Sequence, residues 1–344
     1  MSLLSVKDLV VAFRDVDTGK VNRACDQVSL EVGEGEIVGL VGESGCGKST
    51  LGRALVGLEQ PASGTIRFDG TDILALPSGQ QRLARRRLQY VFQDPLASLE
   101  PRQSIGAALD EALIITGERN PRARAARIAA ILEATNLPAG VMTRRPHELS
   151  GGQRQRVCIA RSLLAEPKLL ICDEPVSSLD MSLRAQVMNL FLSLRDTFGL
   201  AIILIAHDLS VVRQASVRVN VMYLGQIVES GPSAELYAEP RHPYTQALTS
   251  AILGIDPDRE RTRARTVLTG DLPSPFAPPS GCRFRTRCPE AFDTCQHLPP
   301  PPVRIGAREV QCHLYTGRGM PDSGRVPRVG TPPLLAPEDT GAQA

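Results

Sequence analysis

The stretch G-E-S-G-C-G-K-S, Gly42 to Ser49, follows an apolar run and precedes a helix-like segment, the context in which a glycine-rich loop cradles phosphate. Glycines let backbone amides turn inward on an anion. The Lys48 ammonium can then reach the β- and γ-phosphates of a nucleotide, and the Ser49 hydroxyl can ligate Mg2+. The candidate nucleotide contacts are Gly42, Glu43, Ser44, Gly45, Cys46, Gly47, Lys48, Ser49 and Thr50, with Cys46 read as a small residue of the loop. Lysine is otherwise confined to Lys7, Lys20 and Lys168, which sets Lys48 apart.

Other residues fit the same chemistry. Asp173 ends the apolar run L-L-I-C-D and can hold Mg2+ through water, while Glu174 beside it can orient and deprotonate an attacking water. An acidic pair at a strand end can equally cap a turn. Gln93 closes V-F-Q-D-P and His207 closes L-A-I-I-L-I-A-H-D. Both leave strand ends on the side where nucleotide sites form in open α/β sheets, so Gln93 can bind Mg2+ or the water and His207 can contact the γ-phosphate. A second anion site is suggested by E-L-S-G-G-Q-R-Q-R. Ser150 can cap a helix whose first free amides belong to Gly151 and Gly152, with Gln153, Arg154 and Arg156 close by. One nucleotide has no need of two phosphate cradles.

The elements that must position these groups follow from hydrophobic patterning. Strand-like runs fall at 5–13, 27–32, 36–42, 64–70, 88–94, 168–175 and 200–208, with helix-like segments between the later ones. Apolar strands alternating with helices predict a parallel sheet covered on both faces. Residues 95–147 are mostly helical in pattern, P-R-A-R-A-A-R-I-A-A-I-L-E-A-T-N-L being the clearest amphipathic piece, and suggest an inserted helical subdomain. V-R-V-N-V-M-Y-L-G-Q-I-V-E-S-G predicts a hairpin. Beyond Gly231 the composition shifts towards proline, and the mixed tail from 321 to 344 is expected to be disordered.

Composition bounds the function classes. The chain has 344 residues, 42% hydrophobic and 22% charged, room for one large domain and a smaller one. A formal charge of +2 lacks the basic excess of a nucleic-acid binder, so no nucleic-acid partner is expected. The N-terminus has no secretion signal, and the most apolar run, at 200–206, is far shorter than the roughly 20 residues that span a bilayer. The expected location is cytoplasmic.

Taken together, G-E-S-G-C-G-K-S-T, Gln93, L-S-G-G-Q at 149–153, L-L-I-C-D-E-P, S-S-L-D at 177–180 and His207 resemble, in order and spacing, the ABC-type ATPases over about residues 3–230. The resemblance implies an α/β P-loop domain with a mainly parallel sheet, an antiparallel β subdomain and a helical subdomain at about 95–165. In that family two ATPase domains meet head to tail, and the Ser150–Gln153 signature of one covers the γ-phosphate held by the P-loop of the other. Two cradles then serve two ATP molecules. The resemblance also implies that Phe13 stacks on adenine, although an apolar strand residue could be plain core. Glu174 becomes the general base, Asp180 the residue communicating across the dimer, and Ser49, Gln93 and Asp173 the Mg2+ ligands.

V-F-Q-D-P-L-A-S-L-E-P-R, E-P-R-H-P-Y-T-Q-A-L and S-P-F-A-P-P-S-G-C-R-F-R-T-R-C-P-E resemble the ATP-binding subunits of dipeptide and oligopeptide importers, nearest the second ATPase of such pairs. That likeness implies a sibling ATPase, two membrane permease subunits and an extracytoplasmic binding protein, with this chain peripheral on the cytoplasmic face of the cell membrane. Related importers carry nickel or other small solutes. DNA-repair or chromosome ATPases place a long coiled coil between P-loop and signature, translation-associated relatives carry two ATPase domains per chain, and an export ATPase would lack this C-terminal segment.

Residues 231–320 form the expected extension, with Cys282, Cys288, Cys295 and Cys312 at spacing C-x5-C-x6-C-x16-C. Four thiolates suit Zn2+ or an iron-sulfur cluster, and the spacing does not choose between them. Arg283, Arg285 and Arg287 are expected to offset their charge. His297 and His313 could substitute as ligands or be surface or packing residues. The importer resemblance implies a [4Fe-4S] cluster, with zinc and then plain thiols as the alternatives, and the group is read as a staple for a core-poor segment.

Overall fold

The computed structural model describes residues 2–177, 179–252, 268 and 270–317, so the expected tail at 321–344 lies outside the described residues. The chain opens with strands β1 (Ser2–Arg14) and β2 (Val21–Gly33), then β3 (Ile37–Val41), which runs into the P-loop and helix α1 (Lys48–Val56). Strands β4 (Ser63–Phe68) and β5 (Thr71–Asp72) follow, then α2 (Ser78–Arg85) and β6 (Leu88–Val91). Helices α3 (Ile105–Thr116), α4 (Pro121–Ala134) and α5 (Gly151–Leu163) occupy the stretch with the helical pattern, before β7 (Leu169–Asp173), α6 (Met181–Phe198), β8 (Ala201–Ala206) and α7 (Leu209–Arg213). The chain continues through β9 (Arg218–Tyr223), β10 (Gln226–Pro232), α8 (Ser233–Ala238) and α9 (Pro243–Ser250) to β11 (Pro302–Ile305) and β12 (Arg308–Gln311).

The eight-stranded main sheet has the order β11-β12-β10-β9-β3-β8-β7-β6. Its β9-β3-β8-β7-β6 part is parallel, as the alternation of strands and helices predicts. A four-stranded antiparallel sheet, β2-β1-β4-β5, covers one side. Strands β3, β7 and β8 are buried at every position, because neighbours along a strand face opposite cores. Ile202 and Leu204 join the core on the helical side, whereas Ile203 and Ile205 join the core shared with the antiparallel sheet.

Helix ends follow local chemistry. Ser104 accepts from the Ala107 amide to cap α3, and Asn120 caps α4 with Pro121 in its first turn. Gly117 and Gly199 take positive φ to end α3 and α6.

One element was not foreseen. The proline-rich extension adds the hairpin β11–β12 to the main sheet, pairing Val310 with Glu229 and Glu309 with Ser230. Arg308 is buried over Gly231, where any Cβ would collide with its Cγ. Gly231→Val should therefore pry β12 from β10, lowering stability by about 1–3 kcal/mol. Thermal unfolding, with limited proteolysis after residue 300, would report both effects.

Candidate active site

Five sheet-end elements build the site. The P-loop leaves β3 and enters α1, whose start at Gly47 lies at φ 109° and carries no side-chain cap. Its first amides are thus left for an external anion. A Cβ at Gly47 would collide with the Ala24 carbonyl, and one at Gly42 with the Met222 carbonyl, so the cradle is walled by backbone on two sides. Lys48 is buried and its Nζ donates to the carbonyls of Gly42 (2.8 Å) and Glu43 (2.9 Å).

Asp173 ends β7 at 2% exposure, and its two oxygens accept from the Ser49 hydroxyl (3.0 Å) and the Tyr90 hydroxyl (2.6 Å). Among the described residues no ion pair involves Asp173. A buried carboxylate with hydroxyl neighbours and no cationic partner is a donor set suited to Mg2+. Tyr90 went unremarked in the sequence. It lies on β6, two positions before Phe92 and three before Gln93, and that register is the only signal that could have marked it. Burial, then the neighbouring Asp173 charge, pushes its phenol up, so it stays a donor.

Glu174 follows in left-handed backbone, φ 45°, with its amide bound to the Ile205 carbonyl at 2.9 Å. Such a conformation in a residue with a side chain costs on the order of 1–3 kcal/mol and is concentrated at functional sites. Gln93 Nε2 donates to Glu174 Oε2 at 3.1 Å, and His207 Nδ1 lies 3.3 Å from the same oxygen. The three groups expected to act on the attacking water thus converge. Phe13 is 39% exposed on β1, which excludes the plain-core alternative.

The second cradle is formed as local sequence dictates. Ser150 accepts from the Gln153 amide (3.3 Å) and the Gln153 side chain accepts from the Ser150 amide (3.1 Å), a reciprocal cap at the start of α5. Among the described residues no hydrogen bond joins residues 149–153 to residues 42–50. Asp180 caps α6, accepting from the Leu183 amide (2.9 Å) and the Ser182 hydroxyl (2.7 Å), and these bonds lower its pKa.

The four extension cysteines are free thiols, Cys295 in a short helix at Thr294–His297 and the others in connecting segments, with Cys295 and Cys312 buried and the other two half-buried. The Cys282 amide donates to the Cys295 carbonyl at 2.8 Å. Burial, reinforced by neighbouring thiols, pushes Cys288 and Cys312 up to about 12. One expectation is corrected and another is not shown. Among the described residues no three His, Cys, Asp or Glu side chains form a group that could hold a metal ion, so the metal is not shown by the structure. Arg283 and Arg287 do not serve the thiols, because Arg283 pairs with Asp26 and Arg287 with Glu43; Arg285 alone acts on Cys282. His313 is a packing residue, bonded to the Leu298 carbonyl at 2.9 Å, and His297 is exposed near Asp293.

Comparison with known proteins follows this geometry. Residues 25–177 match the family described as ABC transporter, and residues 228–295 match the one described as oligopeptide/dipeptide transporter, C-terminal region. A putative peptide import ATP-binding protein of Brucella abortus is 47% identical over 322 residues, 91% of this chain and 94% of its own length. Another, of Brucella ovis, is 49% identical over 298 residues, 87% of this chain and 93% of its own length. Among solved structures, cbiO1 from Clostridium perfringens, part of the ABC transporter complex cbiONQ, aligns with TM-score 0.61 and 28% identity, over 69% of this chain and 91% of that one. An ATP-binding cassette solved as a dimer in a post-hydrolysis state with ADP and Pi gives TM-score 0.61 and 27% identity, over 67% and 98%. Among the described residues no helix is long and apolar enough to cross a membrane.

Loss of a general base typically lowers rate by about 10²- to 10⁴-fold. Glu174→Gln should keep ATP affinity within about threefold, by the same division of binding from chemistry, while turnover falls by that factor. Calorimetric titration and a phosphate-release assay on one preparation would check both halves.

Proposed function

This chain belongs to the ATP-binding proteins of ABC transporters of the peptide-import type, and we propose that it hydrolyses ATP to drive uptake of dipeptides or oligopeptides through a membrane complex. One observation carries the catalytic part: Gln93 and His207 meet on a single oxygen of Glu174 at the mouth of an intact P-loop. The match of residues 228–295 to the oligopeptide/dipeptide transporter C-terminal region supports the peptide part.

In this reading Lys48 and the amides of residues 43–50 bind the ATP phosphates, and exposed Phe13 stacks on adenine. Glu174 takes the proton from water as the water oxygen attacks the γ-phosphorus and the bond to ADP breaks, while Gln93 and His207 orient that water. Ser49, Asp173 and Gln93 would hold Mg2+, which supplies positive charge against the phosphate oxygens. The Ser150–Gln153 helix start serves the ATP of a facing subunit, and Asp180 faces the same seam. Residues 1–230 act as the ATPase domain and residues 231–320 as the importer extension.

The partners of this reading are a sibling ATPase in head-to-tail contact, two membrane permease subunits and an extracytoplasmic binding protein, with the chain on the cytoplasmic face of the membrane. Purified from cells that make its whole operon, the chain should bring down the permeases and the sibling, and peptides should raise the ATPase rate of the reconstituted complex. An active complex holding only two copies of this chain would refute the heterodimer. Stimulation by Ni2+ in place of peptides would refute the substrate class.

For the four cysteines the reading is a [4Fe-4S] cluster, held by Cys282, Cys288, Cys295 and Cys312, with zinc second. The effect of Cys282, Cys288 and Cys295 on the Cys312 thiol supports a shared site for the four. Anaerobic purification should yield a brown protein containing iron and sulfide. A colourless product with stoichiometric zinc and no iron would overturn the cluster.

A further inference from the structure

The loop between Cys282 and Cys288 reads C-R-F-R-T-R-C, and two of its arginines, Arg283 and Arg287, turn towards the P-loop while Arg285 bonds back to Ser280. Arg287, with a side chain 8% exposed, forms a fork on the Glu43 carboxylate, Nη1 to Oε2 at 2.7 Å and Nη2 to Oε1 at 3.1 Å. Glu43 is the P-loop residue directly after Gly42. Its backbone amide donates to the Tyr244 hydroxyl at 2.8 Å, so residues of the extension hold both the side chain and the main chain of this one position.

The same loop reaches the other end of the P-loop. Arg283 donates to the Leu224 carbonyl and to the Asp26 carboxylate. The next residue, Gly225, donates to the Cys46 carbonyl at 2.8 Å and accepts from the Asp26 amide at 2.8 Å. Between the two arginines, the buried Phe284 ring packs edge-on against Tyr223 at 5.2 Å and lies 5.5 Å from Tyr244.

A two-bond arginine–carboxylate fork fixes both distance and plane, which a lysine would not. It also cancels a charge that matters here. An unpaired Glu43 carboxylate at the rim of a phosphate cradle would repel ATP.

We propose that Arg287 is a positioning residue for nucleotide binding: acting through Glu43, it sets the start of the P-loop turn and neutralises the one carboxylate within that loop. The extension thereby raises ATP affinity from outside the pocket. The proposal rests on the ATP-binding reading and not on what the cysteines hold. Its effect falls on binding, because Arg287 shares no hydrogen bond with Glu174, Gln93 or His207 among the described residues.

The test uses the full-length chain, with Mg-ATP titration by calorimetry, KM and kcat from phosphate release, and thermal unfolding as a control on folding. Arg287→Ala should weaken ATP binding and raise KM by about tenfold with kcat little changed, the size expected for losing a charge-assisted pair. Adding Glu43→Gln should recover part of that loss, because the orphaned carboxylate is then gone. Arg287→Lys should fall between parent and alanine variant. Parental affinity in Arg287→Ala, a further loss in the double variant, or a lower kcat at unchanged KM would each overturn the proposal. Should Arg287→Ala fail to fold, Arg287→Gln takes its place with the same expected direction and the same refuting outcomes. A parent chain that binds no ATP would instead strike the functional reading itself.

Discussion

A carboxylate buried to 2% exposure has to be satisfied by its neighbours, and Asp173 organises three elements in being so. The Ser49 hydroxyl brings the start of α1 to it, the Tyr90 hydroxyl brings β6, and its own strand β7 lies between β6 and β8. Because β7 is hydrogen-bonded on both sides, the carboxylate cannot retreat to water without opening the parallel sheet. The P-loop, the strand leading to Gln93 and the acidic strand end are therefore fixed to one another before any nucleotide is considered. A dry, charged point held by neutral hydroxyls is also where a divalent cation gains most.

Glu174, one residue on, is treated differently. It stands in left-handed backbone, tied by its amide to Ile205, and turns back to the ends of β6 and β8 to meet Gln93 and His207. The local strain is sustained by the strands around it. The start of α5, in contrast, is satisfied internally by the reciprocal Ser150–Gln153 cap and shares no hydrogen bond with the P-loop among the described residues. A carboxylate assembled with Gln93 and His207, and a helix start capped apart from the P-loop, fit the proposed pairing of two such chains, and a similar cassette has been solved as a dimer.

The extension beyond Gly231 is bound to the ATP site at several points. Its hairpin continues the main sheet, its aromatic residues fill the core beside β9, and two of its arginines pair with carboxylates before and within the P-loop. Proline-rich segments bury little apolar surface on their own, so their order has to come from such borrowed contacts. Placing a charge pair at the rim of a phosphate cradle also puts an electrostatic handle on affinity. The thiols at the two ends of the loop share that neighbourhood.

Much was legible from residues alone, where the governing physics is local. Buried parallel strands announce themselves as unbroken apolar runs, as in β3, β7 and β8. A glycine that must take positive φ, a serine three residues before a glutamine, and polar residues leaving successive strand ends carry their meaning within a few positions. The sequence by itself therefore determined the P-loop, the Ser150 cap and the strand-end positions of Gln93, Asp173, Glu174 and His207, and their order and spacing carried the resemblance to ABC-type cassettes. Only the tertiary structure decided the roles of Tyr90, Tyr244, Arg283 and Arg287, and the pairing of the β11–β12 hairpin with β10. Arg287 lies 244 residues from Glu43 along the chain, and nothing in C-R-F-R-T-R-C distinguishes a partner for thiolates from a partner for a distant carboxylate. Which charge an arginine meets is set by packing across the whole fold, whereas backbone angle and hydrophobic period are set within a turn or two of the residue itself.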